Sequence, residues 1–141
     1  MDRMFSGEGA YRYGGRWNSP GRAVVYMSES LSLSALESLA HMVKMHMLKG
    51  HKCVWVDIPE DLVISIERAA LPENWRAIPA PKSTKKIGDQ WFDSLGSPAL
   101  KVPSTVISVE HNFVINPSHP RFSELTIGEI DNFIFDERLF S

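Results

Sequence analysis

The chain has 141 residues, 43% hydrophobic and 23% charged, with a formal net charge of −2. This fits a single domain with its own core and excludes a general nucleic-acid binder, which would carry a basic stripe. The lone cysteine, Cys53, excludes an internal disulfide, and no stretch reaches the roughly 18 apolar residues of a membrane span, so a reducing, cytoplasmic setting is expected.

In chain order, residues 1–18 are rich in glycine and tyrosine and read as an irregular loop. Residues 22–27 read as a strand ending in Val24-Val25-Tyr26. A serine-rich turn then offers several helix caps, and residues 31–49 carry Leu36, Leu39, Ala40, Val43 and Met47 at helical spacing, with Gly50 placed to stop the helix. Residues 52–58 (KCVWVDI) read as one strand stopped by Pro59, with Cys53 buried and inert inside it. Residues 62–67 (LVISIE) alternate as a half-wet strand. Residues 71–81 are broken by prolines and read as a loop packed on Trp75. Residues 82–95 suit a helix with Ile87, Trp91 and Leu95 on one face. Strands are expected at Thr105-Val106-Ile107 and over 111–115, with one or two edge strands between 122 and 140. Strands on both sides of the helices, joined by proline turns, indicate an α+β domain with a mixed or mostly antiparallel sheet. No linker divides the chain, so residues 1–141 are read as one domain.

Chemistry concentrates between residues 6 and 39. Five glycines, Gly7, Gly9, Gly14, Gly15 and Gly21, surround Arg16, Trp17 and Asn18. Glycine neighbours allow a guanidinium to be held rigidly, and a rigid fork suits phosphate or carboxylate. A solvated arginine or a structural ion pair explains the residue equally well. The glycines make neither a phosphate-binding loop followed by Gly-Lys-Ser/Thr nor the dinucleotide fingerprint. Glu37 closes a Ser34-Ala35-Leu36-Glu37 capping-box pattern, so capping and chemistry stand level. Alternation along its strand assigns Tyr26 to the core, and Ser104 has only a weak signal of its own. The five histidines show no metal spacing, and no metal is assigned.

Taken together, these residues resemble the RES domain family, named for its arginine, glutamate and serine. The resemblance rests on Gly14-Gly15-Arg16-Trp17-Asn18-Ser19-Pro20-Gly21, Val24-Val25-Tyr26, Ala35-Leu36-Glu37 and Gly88-Asp89-Gln90-Trp91. It continues through Val102-Pro103-Ser104, Asn116-Pro117-Ser118-His119-Pro120 and Asp136-Glu137-Arg138-Leu139. It implies a fold similar to the diphtheria-toxin-like ADP-ribosyltransferases and the toxin role in a type II toxin–antitoxin pair with an Xre-like DNA-binding antitoxin. The implied activity is consumption of NAD+ as a glycohydrolase or phosphorylase, with inorganic phosphate a potential co-substrate and NAD+ a substrate rather than a cofactor. By the same resemblance Arg16, Glu37 and Ser104 are catalytic, while Arg16, Gly15, Trp17, Asn18 and Tyr26 bind NAD+. Ser104 is expected to hydrogen-bond ribose or nicotinamide. Family members place a strand bearing an arginine ahead of the glycine loop, and this chain, opening Met1-Asp2-Arg3, is expected to lack it. An edge left open there invites pairing with another chain, including a homodimer. The alternatives are an ADP-ribosyltransferase acting on a protein, and a truncated, non-catalytic RES module that binds its antitoxin.

Overall fold

The computed structural model describes residues 3–41 and 50–140. The expected helical positions Val43 and Met47 lie outside these residues. The centre of the molecule is a four-stranded sheet of β1 (Val25–Ser28), β4 (Val63–Ser65), β5 (Ala99–Pro103) and β6 (His111–Ile115), in the order β1-β6-β5-β4. β1 and β5 both run antiparallel to β6, and β4 runs parallel to β5. The mixed α+β class is therefore as read from the sequence.

Alternation along these strands builds two cores. Val25, Ala99, Phe113 and Ile115 point to one face, where they pack with Phe5, Leu62, Phe122 and Leu125. Val24, Leu100, Val102 and Val114 point to the other, against Trp17 and Trp91. Side chains alternate with a period of two, so each face buries its own set, and a one-residue slip would exchange them. β5 is covered on both sides, which explains an apolar run with four of five residues buried.

The second core is closed by α3 (Lys82–Ser94) and by the segment leading into β1. α3 buries Thr84, Gly88 and Trp91, with Ile87 half-buried against the same core, so of the Ile87, Trp91 and Leu95 face read from the sequence only Leu95 departs. Leu95 leaves the helix at φ 55 and is 52% exposed. A backbone carbonyl presses on the helix at Gly88, as shown below, so the stripe is set by what it touches and not by hydrophobicity alone.

Other elements depart from the sequence reading for similar tertiary reasons. The glycine-rich start is not wholly irregular: it holds a 3-10 turn over Arg3–Phe5 and a short α1 (Glu8–Tyr13). The expected strand over residues 52–58 is two strands, β2 (His51–Cys53) and β3 (Val56–Asp57). They pair with two C-terminal strands, β8 (Asp131–Phe133) and β7 (Thr126–Ile127), respectively. The break falls at Trp55, whose carbonyl accepts from the Gly128 N–H (2.9 Å) and whose indole lies against Gly128. Cys53 is half-buried rather than sealed in the core. Residues 105–107 form a turn, not a strand; the strand is the preceding β5. On α2 (Leu31–His41) the buried residue is Leu33, while Leu36, expected on the buried stripe, is exposed.

Candidate functional site

The RES-pattern residues meet at one end of the sheet, on the face of the second core. Ser30 Oγ accepts from the Leu33 N–H (3.1 Å), so Ser30 caps α2 and Glu37 lies inside the helix. This releases Glu37 from the capping box. Its Oε2 instead accepts from the Ser104 hydroxyl (3.1 Å) and from the Asn112 amide. Asn112 Oδ1 in turn accepts from the Ser28 hydroxyl (2.7 Å), its cross-strand partner in the β1–β6 ladder.

Ser104 is fully buried. Its oxygen accepts from the N–H groups of Val106 and Ile107, both at 3.0 Å, and these bonds hold residues 105–107 in their turn. With both lone pairs engaged, its single proton goes to Glu37. The hydroxyl has nothing left for a substrate ribose, contrary to the role expected of it.

Arg16 approaches from the glycine loop. Its Nη1 donates to the carbonyls of Trp75 (2.9 Å) and Ala77 (2.8 Å), which come from the loop over residues 71–81. The same loop is fixed at its other side by Arg76, whose Nη2 donates to the Thr105 carbonyl (2.8 Å) in the Ser104 turn. Both Nη1 hydrogens are thus used, and the Nε/Nη2 edge of the fork makes no hydrogen bond among the described residues. Burial lowers the guanidinium pKa, opposed by the nearby charge of Glu37 and by Tyr26. Arg16 and Glu37 are close enough to influence one another, yet they form no ion pair. A cation and an anion held near each other by separate supports can take a ligand bearing both kinds of partner.

The loop that carries Arg16 is built against Tyr26 and α3. The Tyr26 hydroxyl donates to Asn18 Oδ1 (2.6 Å) and accepts from the Trp17 N–H (3.1 Å). Asn18 is 1% exposed, and its amide reaches the carbonyls of Ala10, Ser19 and Arg22. A Cβ on Gly15 would stand 2.6 Å from the Tyr26 oxygen, so glycine is what permits this approach. From α3, Thr84 Oγ1 donates to the Arg16 carbonyl (2.7 Å) and Lys85 Nζ to the Gly15 carbonyl (2.5 Å). Asp89 accepts from the Ser19 N–H and hydroxyl (2.8 and 2.6 Å), and Arg22 spans Asp89 and Asp93. Trp17 is 3% exposed and serves the core. Trp17 and Asn18 thus shape the loop from inside, whereas the Tyr26 ring stays 39% exposed, more open than the sequence reading placed it.

Burial of the Tyr26 hydroxyl, more than any nearby charge, pushes its pKa well above the usual tyrosine range. An unfolded tyrosine ionises near pH 10. The folded state keeps the proton to higher pH, so above about pH 10 the unfolded chain binds fewer protons and native stability falls with rising pH. Tyr26→Phe is expected to flatten that decline. It is also expected to cost about 1–2 kcal/mol near neutrality by stripping partners from Trp17 and Asn18. Urea denaturation of both proteins across pH 7–11 reads both effects, and parallel alkaline slopes would refute the assignment.

Sequence reasoning missed Asn112 and Ser28, and with them the α3 braces Thr84 and Lys85, and it gave Asp89, though within a quoted motif, no role. A signal for Asn112 was present: it is the polar member of the His111–Ile115 alternation on the face that Val114 buries. The motif around His119 is structural. Its Nδ1 accepts from the Arg121 N–H (2.9 Å), so Nε2 carries the proton and donates to the Leu95 carbonyl (2.8 Å). A cleft of about 1060 Å³ opens over Val25, Met27, Lys101 and Phe113. Tyr26 and Ser28 line it, whereas Arg16, Glu37 and Ser104 do not. Among the described residues no group of histidine, cysteine and carboxylate side chains is arranged to hold a metal, and no helix is long and apolar enough to cross a membrane.

The RES domain family model matches residues 1–136. This chain belongs to the RES domain family. Among RES relatives, it is 38% identical over 136 residues to Toxin Res of Yersinia enterocolitica, covering 96% of this chain and 90% of the relative. It is 34% identical over 137 residues to a Prs ADP-ribosylating toxin of Sphingobium sp., covering 95% and 85%. In fold it is similar to a chain of the crystal structure of the M. tuberculosis MbcT–MbcA toxin–antitoxin complex. The TM-score is 0.70 at 19% identity, over 95% of this RES chain and 79% of that one.

Proposed function

We propose that this RES domain is the toxin of a toxin–antitoxin pair and that it consumes NAD+ by breaking the nicotinamide–ribose bond. The observation that carries the reading is Glu37, fixed through one carboxylate oxygen and set near, but not bonded to, an Arg16 whose fork is open on one edge. Two relatives support it by name, one a toxin and one an ADP-ribosylating toxin.

The chemistry follows from the residue types. The C1′–N1 bond breaks, its electron pair leaves with nicotinamide as a neutral base, and positive charge develops on the ribose. The Glu37 carboxylate stabilises that charge, as carboxylates do in glycoside cleavage. An oxygen nucleophile then bonds to C1′ and gives up its proton to solvent. Arg16 Nε and Nη2 take the pyrophosphate in a paired contact, and the exposed face of Tyr26 packs on a ring. Ser104 acts behind Glu37. Gly15, Trp17 and Asn18 serve binding by shaping the loop that aims Arg16.

The deciding measurement is loss of NAD+ and release of nicotinamide by purified protein, with and without inorganic phosphate. Free ADP-ribose indicates water as acceptor, and a phosphate-dependent product indicates phosphate. The name of the 34%-identical relative favours a second reading, in which the acceptor is a protein side chain; label from NAD+ then appears on protein. NAD+ left intact by folded protein both with and without phosphate, and no label on protein, refutes the enzyme and favours a module that only binds its antitoxin. An Xre-like protein is the antitoxin proposed. Arg16→Lys keeps the charge but loses the fork, and is expected to raise KM for NAD+ roughly 10–100-fold with a smaller change in kcat. An unchanged KM would remove Arg16 from the binding site.

A further inference from the structure

We propose that Asn112, held by Ser28, is the positioning residue of Glu37, committing Oε2 to the scaffold and reserving Oε1 for the reacting ribose. This rests on the NAD+-cleaving reading of the site.

Ser28 and Asn112 are directly opposed residues of antiparallel strands and therefore share a face, within reach of one another. The amide's orientation is set by chemistry. An ionised carboxylate only accepts, so Asn112 must present Nδ2 to Glu37 and Oδ1 to the Ser28 hydroxyl, which donates. Turned over, the amide would set its oxygen against the carboxylate, whereas the Ser28 hydroxyl can bond either end of an amide. The carboxylate therefore sets the orientation, and Ser28 anchors the far end of the amide that serves Glu37.

Ser104 approaches the same oxygen from the end of β5. Two donors from two strands fix Oε2, while Oε1 makes no hydrogen bond among the described residues. A glutamate on a helix would otherwise sample several rotamers, and catalysis by a carboxylate loses rate steeply when its geometry loosens. Asn112 reaches the chemistry only through Glu37. Its removal should therefore act on kcat rather than on substrate binding, and only while Glu37 is present.

The experiment is steady-state NAD+ consumption by wild type, Asn112→Ala, Glu37→Gln and the double variant, with thermal denaturation of each. Asn112→Ala is expected to lower kcat by roughly 10–100-fold, with KM changed by less than about threefold. In the Glu37→Gln background it should cost less than about twofold, because the group it positions is already disabled. Unchanged kcat in folded Asn112→Ala, or an equal loss in both backgrounds, overturns the inference. Should Asn112→Ala fail to fold, Ser28→Ala carries the test: it leaves Asn112 in place but without the anchor on its Oδ1, and kcat should fall by about 3–10-fold at constant KM. Wild-type kcat in Ser28→Ala would equally overturn it. Full activity in Glu37→Gln would instead refute the functional reading on which the inference stands.

Discussion

Glu37→Gln is expected to lower kcat for NAD+ consumption by about 10²–10³-fold while the protein melts within a few degrees of wild type. The substitution preserves volume. The new amide can turn its oxygen toward Ser104 and Asn112, whose donors need an acceptor, so the supports of residue 37 survive. What disappears is the negative charge beside the developing ribosyl cation. An oriented charge in a partly desolvated site is worth about 3–4 kcal/mol at the transition state, which matches that range of rates. Because the charge matters most once the bond is breaking, KM should move by only a few-fold. Nicotinamide release under saturating NAD+ gives the answer. A variant within threefold of wild type would mean that Glu37 is not the group that stabilises the cation.

The second large effect concerns stability and lies outside the chemistry. A Cβ at Gly88 would stand 1.6 Å from the Trp17 carbonyl oxygen and 2.6 Å from its carbon. Both are backbone atoms, so no rotamer change relieves the overlap, and either α3 or the Arg16 loop must move. Gly88→Ala is a favourable substitution by helix propensity alone, by roughly 1 kcal/mol. Overpacking outweighs that gain: Trp17 is 3% exposed in the second core, and displacing it loosens Val24, Trp91 and Val114 together. A net loss of about 3 kcal/mol is expected, or roughly 10 °C in melting temperature for a domain of this size. NAD+ turnover should fall as well, since the same displacement disturbs the Thr84 and Lys85 bonds that anchor the backbone at Gly15 and Arg16. A melting temperature within 2 °C of wild type would show that the contact yields easily.

Legibility of the fold in the sequence varied with how local each cause was. β6 was readable because HNFVI ends in β-branched and aromatic residues and is closed by Asn116-Pro117. The extent of α3 and the irregular course of residues 71–81 were readable from spacing and proline. What escaped depends on partners far away in the chain. No local signal says that a KCVWVDI run must break at Trp55 for Gly128, or that Val106 and Ile107 turn because Ser104 captures their N–H groups. The burial of Thr84 and Gly88 on α3 escaped for the same reason, since the Gly88 contact with Trp17 is invisible to periodicity. At the site, the motif residues were found by resemblance, and the structure brings Arg16, Tyr26, Glu37 and Ser104 to one end of the sheet. The division between residues that face the open site and residues that brace it from within was not legible. That division is set by hydrogen-bond saturation, as at Ser104 and Asn18, which needs coordinates.

The supports of the site come from opposite ends of the chain. Glu37 is 75 residues from Asn112 and 67 from Ser104, and the Ser19–Asp89 bonds span 70. At 5–20 residues per second, a ribosome that has placed Glu37 still needs roughly 4–15 seconds to reach Asn112, and longer to bring it out of the exit tunnel. Throughout that interval the nascent chain carries the acid without the frame that holds it. On the NAD+-cleaving reading proposed above, a half-made copy is therefore expected to spare the NAD+ of the cell that makes it, as is any fragment cut short before β6. Activity would begin only when the whole sheet has closed, which leaves a partner time to arrive.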